Sequence, residues 1–186
     1  MITLVLGGAR SGKSVVAERL AAAWRTAGPA DAPPVTYVAT LEVGDDADLS
    51  SRVELHRRRR PPTWRTVEAG PSASGRGRGG LSDVLREVAG VVVVDSLGPW
   101  VGASANMAVD AAELCAALTE RDGDSVVVSE EVGLSVHPSS EAGRRFRDVL
   151  GALNQAVAAC ADDVVLVVAG RVLRLDRPDP DRCDER

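Results

Sequence analysis

The stretch GGARSGKS, Gly7 to Ser14, has the pattern G-x-x-x-x-G-K-S of a phosphate-binding loop. The apolar run ITLVL before it is typical of a buried strand, and the run VVAERLAAAW after it has the spacing of a helix. Glycines let successive backbone N–H groups approach phosphate oxygens, and a helix N-terminus adds its positive end. The sequence therefore predicts a nucleotide site at Gly7, Gly8, Ala9, Arg10, Ser11, Gly12, Lys13 and Ser14.

Lys13 is the only lysine among the 22 basic residues of the chain. A compact ammonium fits between phosphates, whereas the planar guanidinium of arginine has a different shape. We expect Lys13 to reach the terminal phosphates of a nucleotide and the Ser14 hydroxyl to ligate Mg²⁺. A chance glycine turn before a helix is the alternative, and the flanking strand and helix argue against it.

The composition is that of an ordinary globular protein, with 186 residues, 45% hydrophobic and 26% charged. This length predicts one phosphate-loop catalytic domain, which we place at residues 1–175, followed by a charged tail at 176–186 that we expect to be disordered. The net charge of −5 argues against a general nucleic-acid binder.

The three cysteines, Cys115, Cys160 and Cys183, are far apart and have no metal-binding or redox spacing. We interpret them as reduced residues. The N-terminus lacks a basic stretch followed by a long apolar run, and no later run is long enough to span a bilayer. These features lead us to expect a cytoplasmic protein with no membrane span.

Strand and helix patterns alternate along the chain, and several of the strand patterns are continuous valine-rich runs. That combination predicts an α/β fold with a mostly parallel sheet covered by helices on both faces. The predicted strands are 2–6, 35–40, 63–68, 91–94, 125–128 and 163–169, with a possible edge strand at 171–175 after Gly170. The predicted helices start after the phosphate loop and at 49–60, 81–89, 107–119 and 141–161, and residues 69–80 are predicted to form a mobile loop.

Ligands of such sheets bind at the carboxyl ends of the strands, so the residues that end each strand are site candidates. Asp95 ends VVVVD and is a candidate to hold Mg²⁺ or its water shell, although an aspartate here also suits a simple turn. Glu130 and Glu131 follow another strand. One of them would orient a hydroxyl or a cation, or Glu130 would serve as a helix-capping or solvated acid.

His56 is one of only two histidines, and on a helix it shares a stripe with Leu49 and Val53. The neighbouring arginines would keep its imidazole neutral by charge repulsion and would hold a phosphate against it. A neutral imidazole can act as a nucleophile and form a phosphoramidate. The spacing also fits a structural histidine on a solvated, charged helix face.

Several motifs, taken in order, resemble one family. These are GGARSGKS followed by Ala17-Glu18, then YVAT, D-x-x-L-x-x-R-V-x-x-H at 46–56, RP-x-x-W-R-T-V-E at 60–68, VVVDSL, EVGLSVHP, and FRDVLGALNQAVAACADDVVLVVAG. The chain resembles the bifunctional adenosylcobinamide kinase/adenosylcobinamide-phosphate guanylyltransferase family of cobalamin biosynthesis. The likeness covers nearly the whole chain except the Gly/Ser-rich loop and the tail.

The resemblance implies a phosphate-loop NTPase with a RecA-like core that assembles as a homotrimer. It implies phosphorylation of adenosylcobinamide by ATP or GTP, and then transfer of GMP from GTP to adenosylcobinamide phosphate through a guanylylated histidine. His56 matches that histidine. The resemblance also assigns GTP contacts to the phosphate loop and to Ala39, Thr40, Leu41, Arg57, Arg58, Arg59, Arg60, Glu68 and Asp95.

The chain departs from the family pattern at Glu130, where the family usually has asparagine, and in SVHP, where Ser135 and His137 stand. The extra carboxylate near the phosphates bears most on the kinase step. A monofunctional kinase or nucleotidyltransferase is therefore one alternative. A nucleotide-dependent switch protein without a small-molecule substrate is another, and it would need no guanylylated histidine.

Overall fold

The structure, a computed structural model, describes residues 1–41, 60–70 and 80–177. Seven strands form one sheet in the order β3-β2-β4-β5-β1-β6-β7. All neighbouring pairs are parallel except β6 and β7, which form an antiparallel hairpin at one edge. The strands are β1 Ile2–Gly7, β2 Thr36–Ala39, β3 Arg65–Glu68, β4 Val92–Asp95, β5 Ser125–Glu130, β6 Asp163–Val168 and β7 Arg171–Arg174. The predicted α/β fold, with its mostly parallel sheet and C-terminal edge strand, is confirmed.

Five α-helices accompany the sheet in the described part of the chain. They are α1 Lys13–Ala27, α2 Leu81–Glu87, α3 Leu97–Ala103, α4 Ala111–Glu120 and α5 Glu141–Cys160, with a short 3₁₀ turn at Ala105–Met107. Among these helices, none combines the length and apolar character needed to cross a membrane.

Strand side chains alternate between two cores, one on each face of the sheet. On one face, Val5 and Val93 pack with α1 through Ala17 and Ala21, and Val16, Leu20 and Trp24 of the same helix border this core. On the other face, Leu4 and its neighbours pack against α2, α3, α4 and α5. Because both faces are covered, the central strands are buried except at the acidic residues that end β4 and β5, which explains their continuous apolar sequences.

One helix prediction needs correction, and one helix was not predicted. The helix predicted at 107–119 begins only at Ala111, because the Asp110 side chain caps it by accepting a hydrogen bond from the Glu113 N–H at 2.9 Å. Helix α3 was not predicted, because Gly98-Pro99 suggests a turn. Pro99 is the third residue of α3, where a missing N–H costs no helical hydrogen bond.

The loop predicted at 69–80 begins later than expected. Ala69 is buried, and its N–H donates to the Ala39 carbonyl at 2.9 Å, so it extends the pairing of β3 with β2. Residues 71–79 of that loop, the helix predicted at 49–60 apart from its last residue, and the tail from 178 onward lie outside the described residues.

Candidate functional site

The phosphate loop joins β1 to α1 and is shaped by two glycines. Gly12 has φ +96°, and a Cβ placed there would also lie 3.4 Å from the Gly170 Cα. A Cβ at Gly7 would lie 2.8 Å from the Val167 carbonyl oxygen and would overlap the Ser11 side chain. The loop conformation therefore requires glycine at both positions, which agrees with the phosphate-binding pattern.

The β6–β7 turn supports this loop from the side. Ala169 and Gly170 both have positive φ, which gives a tight hairpin turn. The Gly170 N–H donates to the Ser11 carbonyl at 2.8 Å. The edge hairpin thus holds the middle of the phosphate loop, a contact that the sequence pattern of either segment does not indicate.

Lys13 begins α1, and its side chain is only 12% exposed. Its Nζ lies 3.4 Å from the Gly8 carbonyl oxygen and 3.4 Å from Oε1 of Glu130. The ammonium is therefore held across the phosphate loop, at the place where the loop meets the carboxyl end of β5.

Glu130 is the last residue of β5, and besides its ion pair with Lys13 its carboxylate accepts two hydrogen bonds. The Ser96 hydroxyl donates to Oε1 at 2.8 Å, and the Gly98 N–H donates to Oε2 at 2.9 Å. The Gly98 N–H lies in the first turn of α3, so the helix-capping interpretation of Glu130 is confirmed. The same carboxylate also binds Lys13, which combines a capping role with a role beside the phosphate loop.

The Glu131 carboxylate forms a hydrogen bond within its own loop. Its Oε1 accepts a hydrogen bond from the Gly133 N–H at 2.6 Å, within the loop that follows β5. Its backbone N–H donates to the Gly7 carbonyl at 3.1 Å. Of the paired glutamates, the structure therefore brings the Glu130 carboxylate to Lys13 and engages the Glu131 carboxylate in its own loop.

Asp95 ends β4 and is partly buried beside Tyr37. The Tyr37 hydroxyl donates to Oδ2 of Asp95 at 2.5 Å. Burial raises the pKa of Tyr37 well above its ordinary value, and the adjacent Asp95 carboxylate raises it further. Tyr37 therefore remains a neutral donor to Asp95 across the physiological range.

Arg60 covers the other side of Tyr37. Its guanidinium carbon lies 3.3 Å from the ring centroid, and its Nη1 donates to the Thr66 hydroxyl at 3.2 Å. This stacking is a cation–π contact. It fixes a positive charge near the Tyr37–Asp95 pair, in the part of the sheet formed by β2 and β3.

The register of the strands places the other predicted residues along the same edge. Ala39 pairs with Asp95 on one side and with Glu68 on the other, and Leu41 follows two residues after Ala39. Thr40 is buried, and its hydroxyl donates to the Ser96 carbonyl at 2.5 Å and accepts from the Ser96 N–H at 2.9 Å. The Thr40 hydroxyl therefore ties β2 to β4. His56, Arg57, Arg58 and Arg59 lie outside the described residues.

Asn154 on α5 was not predicted as part of the site. Its Nδ2 donates to the Glu130 carbonyl at 3.0 Å, and its Oδ1 accepts from the Ser129 hydroxyl at 2.6 Å. A polar residue at a position of α5 that otherwise packs into the core is the sequence signal that would have pointed to it. Asn154 fixes the end of β5, and through it the position of Glu130.

The site thus combines a loop of backbone N–H groups, one ammonium and two carboxylates at the carboxyl edge of a parallel sheet. In the described residues, no group of three or more histidine, cysteine or acidic side chains could enclose a metal ion. Ser14 and Asp95 supply a hydroxyl and a carboxylate, which are hard oxygen ligands of the kind that Mg²⁺ accepts together with phosphate oxygens and water. The arrangement suits a bound nucleoside triphosphate better than an all-protein metal site.

Comparisons with known proteins agree with this interpretation. The family model described as cobinamide kinase / cobinamide phosphate guanyltransferase matches residues 3–175. The chain is 38% identical over 182 residues to the bifunctional adenosylcobalamin biosynthesis protein CobP of Pseudomonas aeruginosa, covering 91% of this chain and 94% of that protein. It is 35% identical over 184 residues to the protein CobU of Escherichia coli, covering 91% and 97% respectively.

A solved structure gives an independent comparison of the fold. An ATPase from the type III secretion system of pathogenic bacteria superposes with a TM-score of 0.52 over 89% of this chain at 11% identity. The match covers 50% of the ATPase, so this chain spans about half the length of that protein. At this identity the likeness concerns the fold alone, and it agrees with a phosphate-loop NTPase.

Proposed function

The chain belongs to the cobinamide kinase / cobinamide phosphate guanyltransferase family, and from this membership we propose its two reactions. It phosphorylates adenosylcobinamide with a nucleoside triphosphate, and it then transfers GMP from GTP to adenosylcobinamide phosphate. The product is adenosylcobinamide-GDP, and the transfer passes through a guanylylated His56. Both activities reside in residues 1–175.

The observation that carries the proposal is the position of Lys13 at the start of α1, beside Gly8 of the phosphate loop and Glu130 at the carboxyl end of β5. Phosphoryl transfer depends mainly on positioning and on neutralising the charge of the transferred group. The loop N–H groups and the helix N-terminus orient the phosphates, and the Lys13 ammonium contacts the terminal ones.

Ser14 and Asp95 are the residues that would hold Mg²⁺ at this site. When bound, Mg²⁺ neutralises phosphate charge. Asp95 is positioned for this role by the Tyr37 hydroxyl, which occupies Oδ2 and fixes the rotamer of the carboxylate. Tyr37 is itself held by the stacked Arg60 guanidinium.

In the guanylyl transfer, the imidazole of His56 attacks the α-phosphorus of GTP. A P–N bond forms and the bond to the bridging oxygen breaks, so that pyrophosphate leaves with the electron pair. A phosphate oxygen of adenosylcobinamide phosphate then attacks the same phosphorus and releases the imidazole. The two displacements divide one difficult step into two easier ones.

The remaining nucleotide contacts are proposed on the basis of the family resemblance. Ala39, Thr40, Leu41, Glu68 and Arg60 lie along the β2–β3 side of the sheet edge, and Arg57, Arg58 and Arg59 precede Arg60 in sequence. A nucleotide whose phosphates occupy the loop would extend toward this side, where the arginines offer charge for its phosphates.

Glu130 does not exclude the kinase step. Its carboxylate accepts from the Gly98 N–H and the Ser96 hydroxyl and pairs with Lys13, so its charge is compensated locally. We therefore retain both activities, with ATP or GTP as the phosphate donor and a homotrimer as the assembly implied by the family resemblance.

The deciding experiment is intact-protein mass spectrometry after incubation with GTP and Mg²⁺. We expect a mass gain of one GMP that is stable to base and labile to acid, as a phosphoramidate should be. His56→Ala should abolish the gain. His137→Ala is the matched control, because His137, in the loop after β5, is the only other histidine. Its Nδ1 lies 2.9 Å from Nη1 of Arg147 on α5.

Retention of the adduct in His56→Ala would overturn the assignment of the nucleophile. A wild-type protein that binds GTP without gaining mass would favour the kinase-only or switch alternative. Chromatography of a reaction with adenosylcobinamide and ATP then distinguishes these two alternatives. A kinase forms adenosylcobinamide phosphate, whereas a switch protein does not.

A further inference from the structure

A cavity lies between the end of α3 and the start of α5. Its volume is about 550 Å³, within the range of small-molecule sites. The end of α3 and the 3₁₀ turn form one wall, through Gly102, Asn106 and Met107. The first turns of α5 form the other wall, through Glu141, Ala142 and Arg145.

The position of the cavity follows from the direction of α5. Asn154 contacts the Glu130 carbonyl at the carboxyl end of β5, whereas Asp162, just after α5, bonds to Ile2 at the opposite edge of the sheet. Residues before Asn154 therefore extend beyond the carboxyl ends of the strands. Phe146, which lies about 4.0 Å from a Cβ built at Gly102, precedes Asn154 by eight residues.

At ~1.5 Å per residue, those eight residues place Phe146, which lies beside the cavity wall at Gly102, roughly 12 Å from Asn154 along α5. The phosphate loop lies at the same edge, and α3 connects the two places. Its first turn is held by Glu130, the partner of Lys13, and its last turn lines the cavity. A ligand in the cavity would therefore be separated from Glu130, the partner of Lys13, by about the length of α3.

Glu141 and Arg145 stand one turn apart on the same face of α5. In the described part of the chain neither side chain takes part in a hydrogen bond or an ion pair, although the spacing would permit them to pair. Both are exposed toward the cavity as separate charges, one an acceptor and the other a donor.

The opposite wall is held in a strained conformation. Asn106 and Met107 are consecutive residues with φ of +53° and +55°, a region that residues with side chains rarely adopt. Such strain is concentrated at ligand sites, where the surrounding structure maintains it. The conformation places an amide and a thioether on the wall that faces Glu141 and Arg145.

We propose that this cavity binds the carboxamide-bearing edge of the corrinoid substrate, with Glu141 and Arg145 bracketing one primary carboxamide. This inference rests on the proposed function. A primary carboxamide offers an N–H donor and a carbonyl acceptor side by side, which match the carboxylate and the guanidinium respectively. Cobinamide carries such carboxamides around a flat ring, and Met107 offers a polarisable surface to that ring.

The test measures the KM for adenosylcobinamide in the kinase reaction. Arg145→Ala and Glu141→Gln should each raise it about tenfold, as the loss of a hydrogen bond to a charged group implies. Ala142→Trp should fill the cavity and raise the KM further. The KM for ATP should stay unchanged, and so should self-labelling by GTP, which involves no corrinoid. Glu87→Gln, on the exposed face of α2, is the matched control.

A second measurement uses a cobinamide whose carboxamides have been hydrolysed to carboxylates. The wild-type protein should disfavour it because Glu141 would face a like charge, and Glu141→Gln should reduce that discrimination. If the wild-type protein phosphorylates adenosylcobinamide and the KM for it is unchanged in Arg145→Ala, Glu141→Gln and Ala142→Trp, the cavity assignment is overturned. The proposed function would then still stand. A wild-type protein that converts no cobinamide would overturn both.

Discussion

Asp95 and Glu130 are two carboxylates at the ends of neighbouring parallel strands, yet they have different surroundings. Asp95 lies opposite Val128, so Glu130 is two residues further along the shared edge. The Asp95 carboxylate accepts one hydrogen bond in the described structure, from the phenol of Tyr37. The Glu130 carboxylate accepts hydrogen bonds from the Ser96 hydroxyl and the Gly98 N–H and forms an ion pair with Lys13.

The difference indicates a division of roles. Two hydrogen bonds and one ion pair, made to three segments, fix the Glu130 carboxylate as the junction between the phosphate loop, the end of β4 and the start of α3. One neutral donor leaves Asp95 an oxygen, Oδ1, that has no hydrogen-bond partner among the described residues. A carboxylate with a free oxygen beside phosphates is suited to a metal ion or its water, whereas a saturated carboxylate is suited to holding structure.

The largest expected effect is on the catalytic rates, when the charge of the Asp95 carboxylate is removed without changing the shape of the side chain. Asp95→Asn should lower the rates of both phosphorylation and guanylylation about 100-fold or more, because it removes electrostatic stabilisation from the phosphate site. Glu130→Gln should cost less than about tenfold, because Lys13 can still bind the phosphates. Steady-state phosphorylation and single-turnover labelling measure both rates.

The two variants are nearly isosteric, so thermal unfolding should show them to be folded. If Asp95→Asn and Glu130→Gln lower the reaction rates equally, or if Glu130→Gln lowers them more, the two carboxylates do not have the separate roles proposed here.

A smaller effect, on stability, tests Glu130 as a structural junction. A Cβ at Gly98 would lie 2.9 Å from the Glu130 Cδ and would overlap its carboxylate. Gly98→Ala should therefore displace Glu130 and cost about 1–3 kcal/mol of unfolding free energy, the price of leaving buried donors unpaired. Urea denaturation measures this cost.

The control is Gly151→Ala in α5, where a Cβ would meet no atom within 4 Å. That substitution should stabilise the protein by up to about 1 kcal/mol, as alanine does in a helix. In a Glu130→Ala background, the penalty of Gly98→Ala should largely disappear, because the clash is gone. If Gly98→Ala remains destabilising in the Glu130→Ala background, the clash with the Glu130 carboxylate is not the cause of the lost stability.

The same contrast explains what the sequence could predict. The phosphate loop and the strand ending at Asp95 are local patterns, in which consecutive residues carry the whole signal. The partners of Glu130 come from segments more than thirty residues away, and no local pattern states that Gly98 lies against it. Helix α3 was missed for a related reason, since its Gly-Pro pair suggests a turn until the tertiary contact with Glu130 is known.

The Tyr37–Asp95 pair also depends on strand order. Ala39 and Asp95 are opposite one another only because β2 and β4 are neighbours, with β3 placed outside them. Alternation of apolar residues predicts that Tyr37 points into a core, but it does not predict which strand end its hydroxyl meets. The family resemblance implied the reactions and the nucleotide-binding residues, and it implied nothing about these partners.

The smallest effect concerns pH and tests whether the partner of Asp95 is a neutral phenol. Tyr37 is the only tyrosine, so phenolate absorbance reports on it alone. Burial, and then Asp95, raise its folded pKa above the unfolded value of about 10. The stability from this shift is fully present below about pH 10 and is lost as the pH rises above it, by up to about 1.4 kcal/mol per pH unit.

Tyr37→Phe should therefore be less stable than the wild-type protein at neutral pH, by about 1 kcal/mol for the lost hydrogen bond. The difference should shrink and then reverse above pH 10, since only the wild-type unfolded chain gains a phenolate. In Asp95→Asn the Tyr37 pKa should fall but stay raised, because burial is the larger cause. Phenolate absorbance with a midpoint near 10 in the folded wild-type protein would mean that Asp95 lacks its neutral donor, and the contrast with Glu130 would then lose its basis.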